Sequence, residues 1–270
     1  MPSNTPSNNP VVWIASYPKS GNTWLRFMLY ATIYGQPQRS ADVPFRIPDI
    51  HRKMPFSAPE SGPTYIKTHY ELANNHPQLN NTLKAIHIIR NPRDILLSAL
   101  NYKKLAGKQS LSIKDSNKQY AKEFIKVGGG PGWFNGGFGS WASNARSWRN
   151  TSRFPVLQLR YEEIRTDPHT GLKDILDFLE IDRSQDQINQ AVADSSFDFM
   201  RALEIREKKA DKSNDLSKRL FIGSKGATRK GHYFVNKGMT NQSLETIAPG
   251  FDTLFNSTLK DELAEFGYTN

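Results

Sequence analysis

The sequence predicts an α/β fold in which a parallel sheet is flanked by helices within a single domain. The first observation is that short apolar runs alternate with longer segments of helical period, as in strands joined by covering helices. The second is the apolar density of KAIHIIR and PVLQLR, which is typical of strands covered on both faces. Because 270 residues suffice for one core, we expect a disordered tail over residues 1–10 and one domain over residues 11–270.

Each predicted strand is a short apolar run that ends at a turn, and the runs cover residues 11–16, 64–67, 85–90 and 155–160. The predicted helices begin near Asn22, Pro92, Ser140, Asp167, Gln185 and Ser196. A proline such as Pro92 suits a first helical turn, where a missing N–H costs no hydrogen bond. Two segments interrupt the alternation. Residues 128–139 are rich in glycine with aromatic residues between, whereas residues 208–237 are polar and lysine-rich, which predicts a long mobile loop.

Composition limits the classes of function. The formal net charge is +10, which favours an anionic partner such as nucleic acid, acidic membrane or a phosphorylated small molecule, or else serves solubility. The absence of cysteine excludes disulfides, thiolate catalysis and cysteine metal sites. No apolar run approaches the roughly 18 residues that a membrane span needs. The first ten residues also lack the features of a secretory signal, so we expect a cytoplasmic protein.

The stretch WIASYPKSGNTW predicts a strand, a turn that contains glycine, and then a helix. The amide groups at such a helix start, together with the helix dipole, bind phosphate or sulfate oxygens. Lys19 adds a positive charge, and Ser20 and Thr23 add hydroxyl donors. The loop does not match GxxxxGK[ST], so the usual cradle for a magnesium nucleotide is not indicated. The alternative is a capped turn without a ligand.

Two further segments place basic side chains at the ends of strands. In TYIKTHY, Lys67 and His69 lie two residues apart and therefore on the same side of the strand. A histidine there can act as a general base, although an ordinary core or surface role is the alternative. In IHIIRNPRDILLSALNY, Arg90 ends a strand where open α/β sheets bind ligands, and a bidentate contact to phosphate is possible. Arg93 and Asp94 are interpreted as a solvated helix start.

Taken in order, these segments resemble the PAPS-dependent sulfotransferases, where PAPS is 3′-phosphoadenosine 5′-phosphosulfate. YPKSGNTW resembles the 5′-phosphosulfate loop of that family and IIRNPRDILLSALNY its 3′-phosphate segment, while RYEEI, SSFDFMR and RKG match later motifs. The resemblance extends from about residue 11 to residue 231. It implies a P-loop-like nucleotide-binding fold, PAPS as co-substrate, PAP as product, and no metal.

The resemblance also implies roles for individual residues. The 5′-phosphosulfate would be bound by Lys19, Ser20, Gly21, Asn22 and Thr23, and Trp24 would stack on the adenine. The 3′-phosphate would be bound by Arg90, Ser98, Arg229, Lys230 and the backbone of Gly231. The adenine pocket would be lined by Tyr161, Ser195 and Phe197. Eukaryotic cytosolic members continue RKG into a Gly-Asp-Trp segment, where this chain has HYFVN, so the cofactor clamp is expected to close differently.

For catalysis, the hypothesis is that His69 takes the proton from an acceptor hydroxyl that attacks sulfur in line. Lys19 and Lys67 would stabilise the charge that grows on the departing phosphate oxygen. The expected acceptor is a phenol, an alcohol or a natural-product hydroxyl, with Tyr70 and Trp133 lining its pocket. The stretch GFGSWASNARSW also resembles the bacterial branch that sulfates glycopeptide antibiotics and related natural products.

Alternative functions make different predictions from the same sequence. A metal-dependent nucleotide kinase predicts a GK[ST] loop, which is absent. A nucleic-acid-binding module predicts one basic stripe with stacking aromatic residues, whereas the lysines here are widely spread. A carbohydrate or lipid sulfotransferase keeps the family but changes the acceptor. The sequence leaves open whether the chain forms a homodimer and whether residues 208–237 become ordered when the cofactor binds.

Overall fold

A computed structural model describes residues 9–105, 113–210, 220–223, 226, 228 and 231–268. Within this part of the chain, the strands are β1 (Val11–Ser16), β2 (Thr64–Thr68), β3 (Thr82–Ile89) and β4 (Val156–Arg160). They pair in parallel in the order β2-β1-β3-β4. All carboxyl ends therefore lie along one edge of the sheet, and the predicted fold class is confirmed. The predicted tail lies outside the described residues except for residues 9 and 10.

The helices surround this sheet and alternate with its strands. Their bounds are α1 (Asn22–Tyr34), α2 (Asp42–Arg46), α3 (Pro92–Leu105), α4 (Ile113–Val127), α5 (Pro131–Trp133), α6 (Trp141–Arg149), α7 (Tyr161–Thr166), α8 (Pro168–Leu179), α9 (Gln185–Asp194), α10 (Phe197–Ala210), α11 (Phe251–Thr258) and α12 (Lys260–Glu265). Local caps fix several of the starts that the sequence predicts. Ser140 and Ser184 form capping boxes for α6 and α9, and the Asp167 carboxylate accepts two N–H groups of α8.

The alternation of side chains along β1 joins it to two different parts of the core. Val12 and Ile14 pack in the same apolar cluster as residues of α1, α8 and α9. Trp13 points to the opposite face and packs in a cluster with Trp148 of α6. β1 is buried throughout, and the predicted burial on both faces holds for the carboxyl half of β3. It is wrong for β4, every residue of which is half-buried, because β4 is the edge strand.

Two other expectations about local structure are wrong. Asp94 is fully buried and its carboxylate accepts the backbone N–H groups of Asn241 and Gln242, each at 3.1 Å, so the start of α3 is not solvated. Arg93 forms an ion pair with Asp252 at 3.4 Å. Long-range partners, which the local sequence does not reveal, account for both burials.

The segments that were expected to be irregular contain regular structure and core residues. Residues 131–138 form α5 and a following π turn, Phe134–Phe138, despite their glycines. Lys208 is a buried residue of α10, and Leu220, Phe221 and Val235 are core residues, so this part of the predicted mobile loop is packed. Residues 211–219, 224, 225, 227, 229 and 230 lie outside the described residues. Within the part described, no helix has both the length and the apolarity to cross a membrane.

Candidate active site

A cavity of about 1170 Å³ opens along the carboxyl edge of the sheet. Each strand contributes to its wall through the residues that follow it. Lys19 follows β1, His69 follows β2, Arg90 follows β3 and Tyr161 follows β4, and all four side chains line the cavity. This is the edge at which open α/β sheets bind their ligands. Residues that are far apart in the sequence thus face one space.

The loop between β1 and α1 has a backbone conformation that exposes its amides. Lys19 has φ of 71° and Gly21 has φ of 102°, both left-handed. A Cβ atom on Gly21 would lie 2.5 Å from the ring of Tyr161, so only glycine fits without displacement. The hydroxyl of Ser20 is buried, has no hydrogen-bond partner among the described residues, and does not line the cavity. A helix start with a buried, unsatisfied donor is suited to an anionic ligand.

Asn22 and Thr23 differ in where they lie at this helix start. The side-chain amide of Asn22 donates to the Ile14 carbonyl at 2.9 Å and to the Ser16 hydroxyl at 3.1 Å. It therefore ties the start of α1 back to β1. Both residues line the cavity, and Thr23 is half-buried whereas Asn22 is buried.

Lys19 lies in a positively charged and weakly hydrated environment. Burial, together with the charges of Arg90 and Lys67, lowers its pKa to about 8. Its ammonium lies 4.6 Å from the ring centre of Tyr102 and 5.0 Å from that of Phe234. No carboxylate forms an ion pair with it among the described residues. A bound anion would supply the missing countercharge.

Arg90 links the loop to the opposite wall of the cavity. Its guanidinium donates to the Lys19 carbonyl at 3.1 Å and to the Met239 carbonyl at 2.8 Å, and it lies 4.2 Å above the ring of Tyr161. Its Nε is buried and has no hydrogen-bond partner among the residues that the structure describes. Ser98 lines the same cavity from α3. Two donors of Arg90 are therefore used to hold loops, and a third remains for a ligand.

The position of the proton on His69 follows from its contacts. Nδ1 lies 2.7 Å from the carbonyl oxygen of Ser16, which can only accept, so Nδ1 carries the hydrogen. Nε2 then holds a lone pair, and it has no hydrogen-bond partner in the described part of the chain. Burial, followed by the charges of Lys67 and His51, places the pKa of His69 well below its usual value. The ring is therefore neutral at pH 7.

Lys67 is paired with a carboxylate that the sequence analysis did not single out. Its ammonium lies 2.7 Å from the carboxylate of Asp49. Burial lowers the pKa of Lys67, although Asp49 opposes that shift. Burial alone would raise the pKa of Asp49, but the charges of Lys67 and Arg26 hold it below its ordinary value. His51, also missed, lines the cavity beside His69.

The residues assigned to adenine divide into two groups. Trp24 makes ring contacts with Tyr161 at 5.8 Å and with Phe197 at 5.5 Å, and all three line the cavity. Ser195 does not line it. Its hydroxyl is buried at the end of α9 and donates to the Ala191 carbonyl at 2.7 Å.

The end of the cavity beside His69 has aromatic walls. The rings of His51 and Phe138 lie 5.5 and 5.8 Å from that of His69, and Trp133, from the same glycine-rich segment as Phe138, also lines the cavity. Tyr70 lies behind this wall, with its ring centre 5.7 Å from that of Phe138 and 4.4 Å from that of His51.

The segment that carries RKG is only partly described. Gly231 is exposed with φ of 76° and does not line the cavity, and Arg229 and Lys230 lie outside the described residues. Their contacts to the 3′-phosphate stay a prediction.

The fold and the cavity together are typical of an enzyme that binds a nucleotide bearing phosphate or sulfate groups. Residues 9–259 match the family described as the sulfotransferase domain, and the chain belongs to that family. The predicted enzyme class, a PAPS-dependent sulfotransferase, is thereby confirmed. Membership of this family contradicts the alternative function of a nucleotide kinase.

Curated relatives from animals and plants cover most of the chain. Sulfotransferase 2A2 of Rattus norvegicus is 27% identical over 261 residues, which are 94% of this chain and 84% of that protein. Cytosolic sulfotransferase 7 of Arabidopsis thaliana is 26% identical over 269 residues, which are 92% and 77% of the two chains. The resemblance to the bacterial natural-product branch stays a prediction.

Solved structures share the fold at low sequence identity. Mouse sulfotransferase SULT7A1 complexed with PAP gives a TM-score of 0.62 at 17% identity, over 99% of this chain and 92% of that one. Retinol dehydratase in complex with androsterone and the inactive cofactor PAP gives 0.63 at 17% identity, over 96% and 83% of the chains. The P-loop-like nucleotide-binding fold is therefore confirmed.

Proposed function

We propose that this enzyme transfers the sulfuryl group of PAPS to a hydroxyl of a small-molecule acceptor, with His69 as the general base. The observation that carries the proposal is the hydrogen bond between Nδ1 of His69 and the Ser16 carbonyl at 2.7 Å. It fixes the tautomer and leaves the lone pair of Nε2 for the proton of the acceptor. A neutral imidazole with a defined tautomer is the form that a general base requires.

Asp49 and His51 also line the cavity, but Nε2 of His51 already accepts the His69 N–H, and Asp49 is less suited to this role. One carboxylate oxygen accepts from the ammonium of Lys67 and the other from the backbone N–H of His51. The pKa of Asp49 also lies below its ordinary value because of the cations around it. Because both oxygens of Asp49 already accept hydrogen bonds, they are less available to the proton of an acceptor than Nε2 of His69.

The residues around the loop fit the nucleotide, which supplies the sulfuryl group and its phosphate leaving group when bound. Arg90 lines the cavity, and its buried Nε is a donor without a hydrogen-bond partner in the described part of the chain. Lys19 and Lys67 bring two cations to the same side of the cavity, where they would stabilise negative charge that grows on a phosphate oxygen. The adenine would contact Trp24 and Phe197.

During the reaction, His69 takes the hydroxyl proton as the acceptor oxygen forms its bond to sulfur. The bond from sulfur to the bridging phosphate oxygen breaks, and that oxygen carries the electron pair into PAP. Lys19 and Lys67 stay protonated while they bind this oxygen, and His69 afterwards returns its proton to solvent. The aromatic walls exclude water, which would otherwise compete for the sulfuryl group.

The cavity supports an acceptor with a flat or apolar body. Phe138 and His51 line the cavity beside His69, and Trp133 contributes a further aromatic ring to its wall. Androsterone and retinol, the compounds named with the retinol dehydratase structures, are both alcohols with an apolar skeleton. A phenol, a steroid-like alcohol or a natural-product hydroxyl has the same combination of features. A sugar offers many hydroxyls but little apolar surface for these walls.

The experiment is transfer of labelled sulfate from PAPS to a panel of phenols, steroid alcohols, monosaccharides, lipids and peptide antibiotics. We expect turnover with phenols or apolar alcohols and none with monosaccharides. Turnover only with sugars or lipids would support a carbohydrate or lipid sulfotransferase instead. Absence of transfer to every acceptor, with PAP still bound, would contradict the proposed acceptor class.

A further inference from the structure

A short segment between α2 and β2, residues 47–51, extends the edge of the sheet at the catalytic residues. Asp49 forms a parallel bridge with Lys67. The Lys67 N–H donates to the Pro48 carbonyl at 2.8 Å, and the Ile50 N–H donates to the Lys67 carbonyl at 3.2 Å. We call residues 47–51 the edge segment. It pairs with β2 where that strand carries its catalytic lysine.

The edge segment also forms a hydrogen bond with α1. The guanidinium of Arg26, which is 1% exposed, donates to the carbonyl of Ile47. Removing a charged side chain from water costs free energy unless it is well bonded. The contact therefore fixes the start of the edge segment relative to the helix that follows the phosphosulfate loop.

The two carboxylate oxygens of Asp49 have different partners, one a side chain and the other a backbone N–H. Oδ2 accepts from the Lys67 ammonium at 2.7 Å, and Oδ1 accepts from the His51 N–H at 3.0 Å. The side chains of Lys67 and Asp49 are only 12% and 6% exposed. At such low exposure an ion pair with fixed geometry orients its members strongly. Asp49 thus sets both the direction of the Lys67 ammonium and the position of His51.

The side chain of His51 binds the backbone N–H of His69, whereas Ser16 binds the ring of His69. Nε2 of His51 accepts the His69 N–H at 2.8 Å, and the two rings stack at 5.5 Å with an angle of 13°. Burial, followed by the charge of Lys67, lowers the pKa of His51 to about 4, so it stays a neutral acceptor at pH 7. His69 is therefore held at two points, its amide by His51 and its ring by Ser16.

We propose that Asp49 and His51 are positioning residues of the sulfuryl transfer: Asp49 aims the ammonium of Lys67, and His51 aims the imidazole of His69. This inference rests on the proposed roles of Lys67 and His69. A displacement of about 1 Å in a reacting group can cost about a hundredfold in rate, which is why a dedicated segment would serve both groups.

The test for His51 compares two variants of similar size. In His51→Gln the side-chain oxygen can still accept the His69 N–H, whereas in His51→Leu nothing can. We expect His51→Leu to lower kcat by about tenfold or more, with the KM for PAPS little changed. We expect His51→Gln to recover most of the lost kcat. Equal kcat values for the two variants would overturn the role of His51.

The test for Asp49 is the pH profile of kcat for Asp49→Asn at saturating PAPS. Besides Asp49, the charges of Arg26 and Arg52 shift the pKa of Lys67. The charge of Lys67 in turn shifts the pKa values of Lys19, His51 and His69. Asp49 is the one carboxylate among these described groups, so its exchange for asparagine lowers the pKa of Lys67 further. Because Lys67 must be protonated, the alkaline limb should move to lower pH by roughly one unit or more.

An unchanged alkaline limb in a folded Asp49→Asn variant would overturn the role of Asp49. The control is Asp177→Asn, which breaks an exposed ion pair with Lys173 at 2.6 Å and should leave both kcat and the profile unchanged. If Asp49→Asn does not fold, the His51 pair still decides the role of His51. The role of Asp49 is then decided by Asp49→Glu, which keeps the charge but displaces the Lys67 ammonium, and an unchanged kcat would overturn it. Failure of the proposed function itself is distinguishable, because the unaltered enzyme would then transfer no sulfate to any acceptor.

Discussion

The carboxylate of Glu204 forms a buried ion pair with Lys208 one turn further along α10, and it also accepts two backbone N–H groups from the opposite wall of the cavity. These belong to Phe234 and Val235, at 2.8 and 2.9 Å. Arg201, on the same helix, donates to the carbonyls of Val235 and Asn236 at 2.6 and 2.9 Å. One helix therefore fixes the segment that faces Lys19.

Exchange of Glu204 for glutamine should strongly destabilise the protein. Lys208 is 2% exposed, and removing its carboxylate leaves a buried ammonium without a countercharge. Breaking one partner of such a buried pair costs about 3–5 kcal/mol of unfolding free energy. Thermal or urea unfolding measures this loss. The matched control, Asp177→Gln in the exposed pair with Lys173, should change stability by less than about 0.5 kcal/mol. Equal effects would contradict the importance of the buried pair.

Exchange of His69 for alanine should abolish transfer and leave PAP binding nearly intact. The ring supplies the only proposed base, whereas its contacts within the described residues are to Ser16, His51 and Phe138 and not to the phosphosulfate loop. Steady-state turnover and calorimetry with PAP measure the two effects separately. An exposed histidine, as in His169→Ala, provides the control. Turnover of His69→Ala at the normal rate would show that the base is assigned wrongly.

Affinity for PAP should fall as pH rises through about 8 because of Lys19. Its pKa in the free protein lies near that value, and only the protonated ammonium attracts the anionic nucleotide. Binding should accordingly take up protons between pH 7 and 9, which calorimetry in buffers of different ionisation enthalpy detects. In Lys19→Ala the pH dependence over this interval should disappear. The same variant should lose about 2–4 kcal/mol of transition-state stabilisation. A pH dependence that persists in Lys19→Ala would assign the titration to another group.

The elements of this fold could be predicted because their signals are local. Apolar runs and caps are contained in a few neighbouring residues, so the bounds of β1 and the starts of α1 and α9 agree with the prediction. The loop at Lys19 and the pair Lys67 and His69 were visible for the same reason, since each lies within one strand and its turn.

The partners of these residues could not be predicted because they come from distant segments. Asp49 and His51 lie in an irregular stretch, and each contacts its catalytic partner across 18 positions of the sequence. Asp94 is buried by Asn241, which lies 147 positions away. Ser195 lies in a motif that implied a contact to the adenine, but its hydroxyl donates to the Ala191 carbonyl instead. The motif alone did not reveal this local partner. Motifs reveal residue types, whereas burial and pairing depend on the whole fold.

Exchange of Gly21 for alanine should weaken nucleotide binding far more than an equal change at another left-handed glycine. At Gly21, a Cβ atom would lie 2.5 Å from the ring of Tyr161, so either the loop or the ring must move. Gly250 is the matched control, because it also precedes a helix in the left-handed conformation, with φ of 82° and ψ of 2°, but its Cβ would meet nothing within 4 Å. Both variants should lose about 1 kcal/mol or more of stability from the backbone. Only Gly21→Ala should lose PAP affinity in calorimetry, because only there do the amides of the loop move. Equal affinities for the two variants would mean that the loop conformation seen here is not the one that binds the nucleotide.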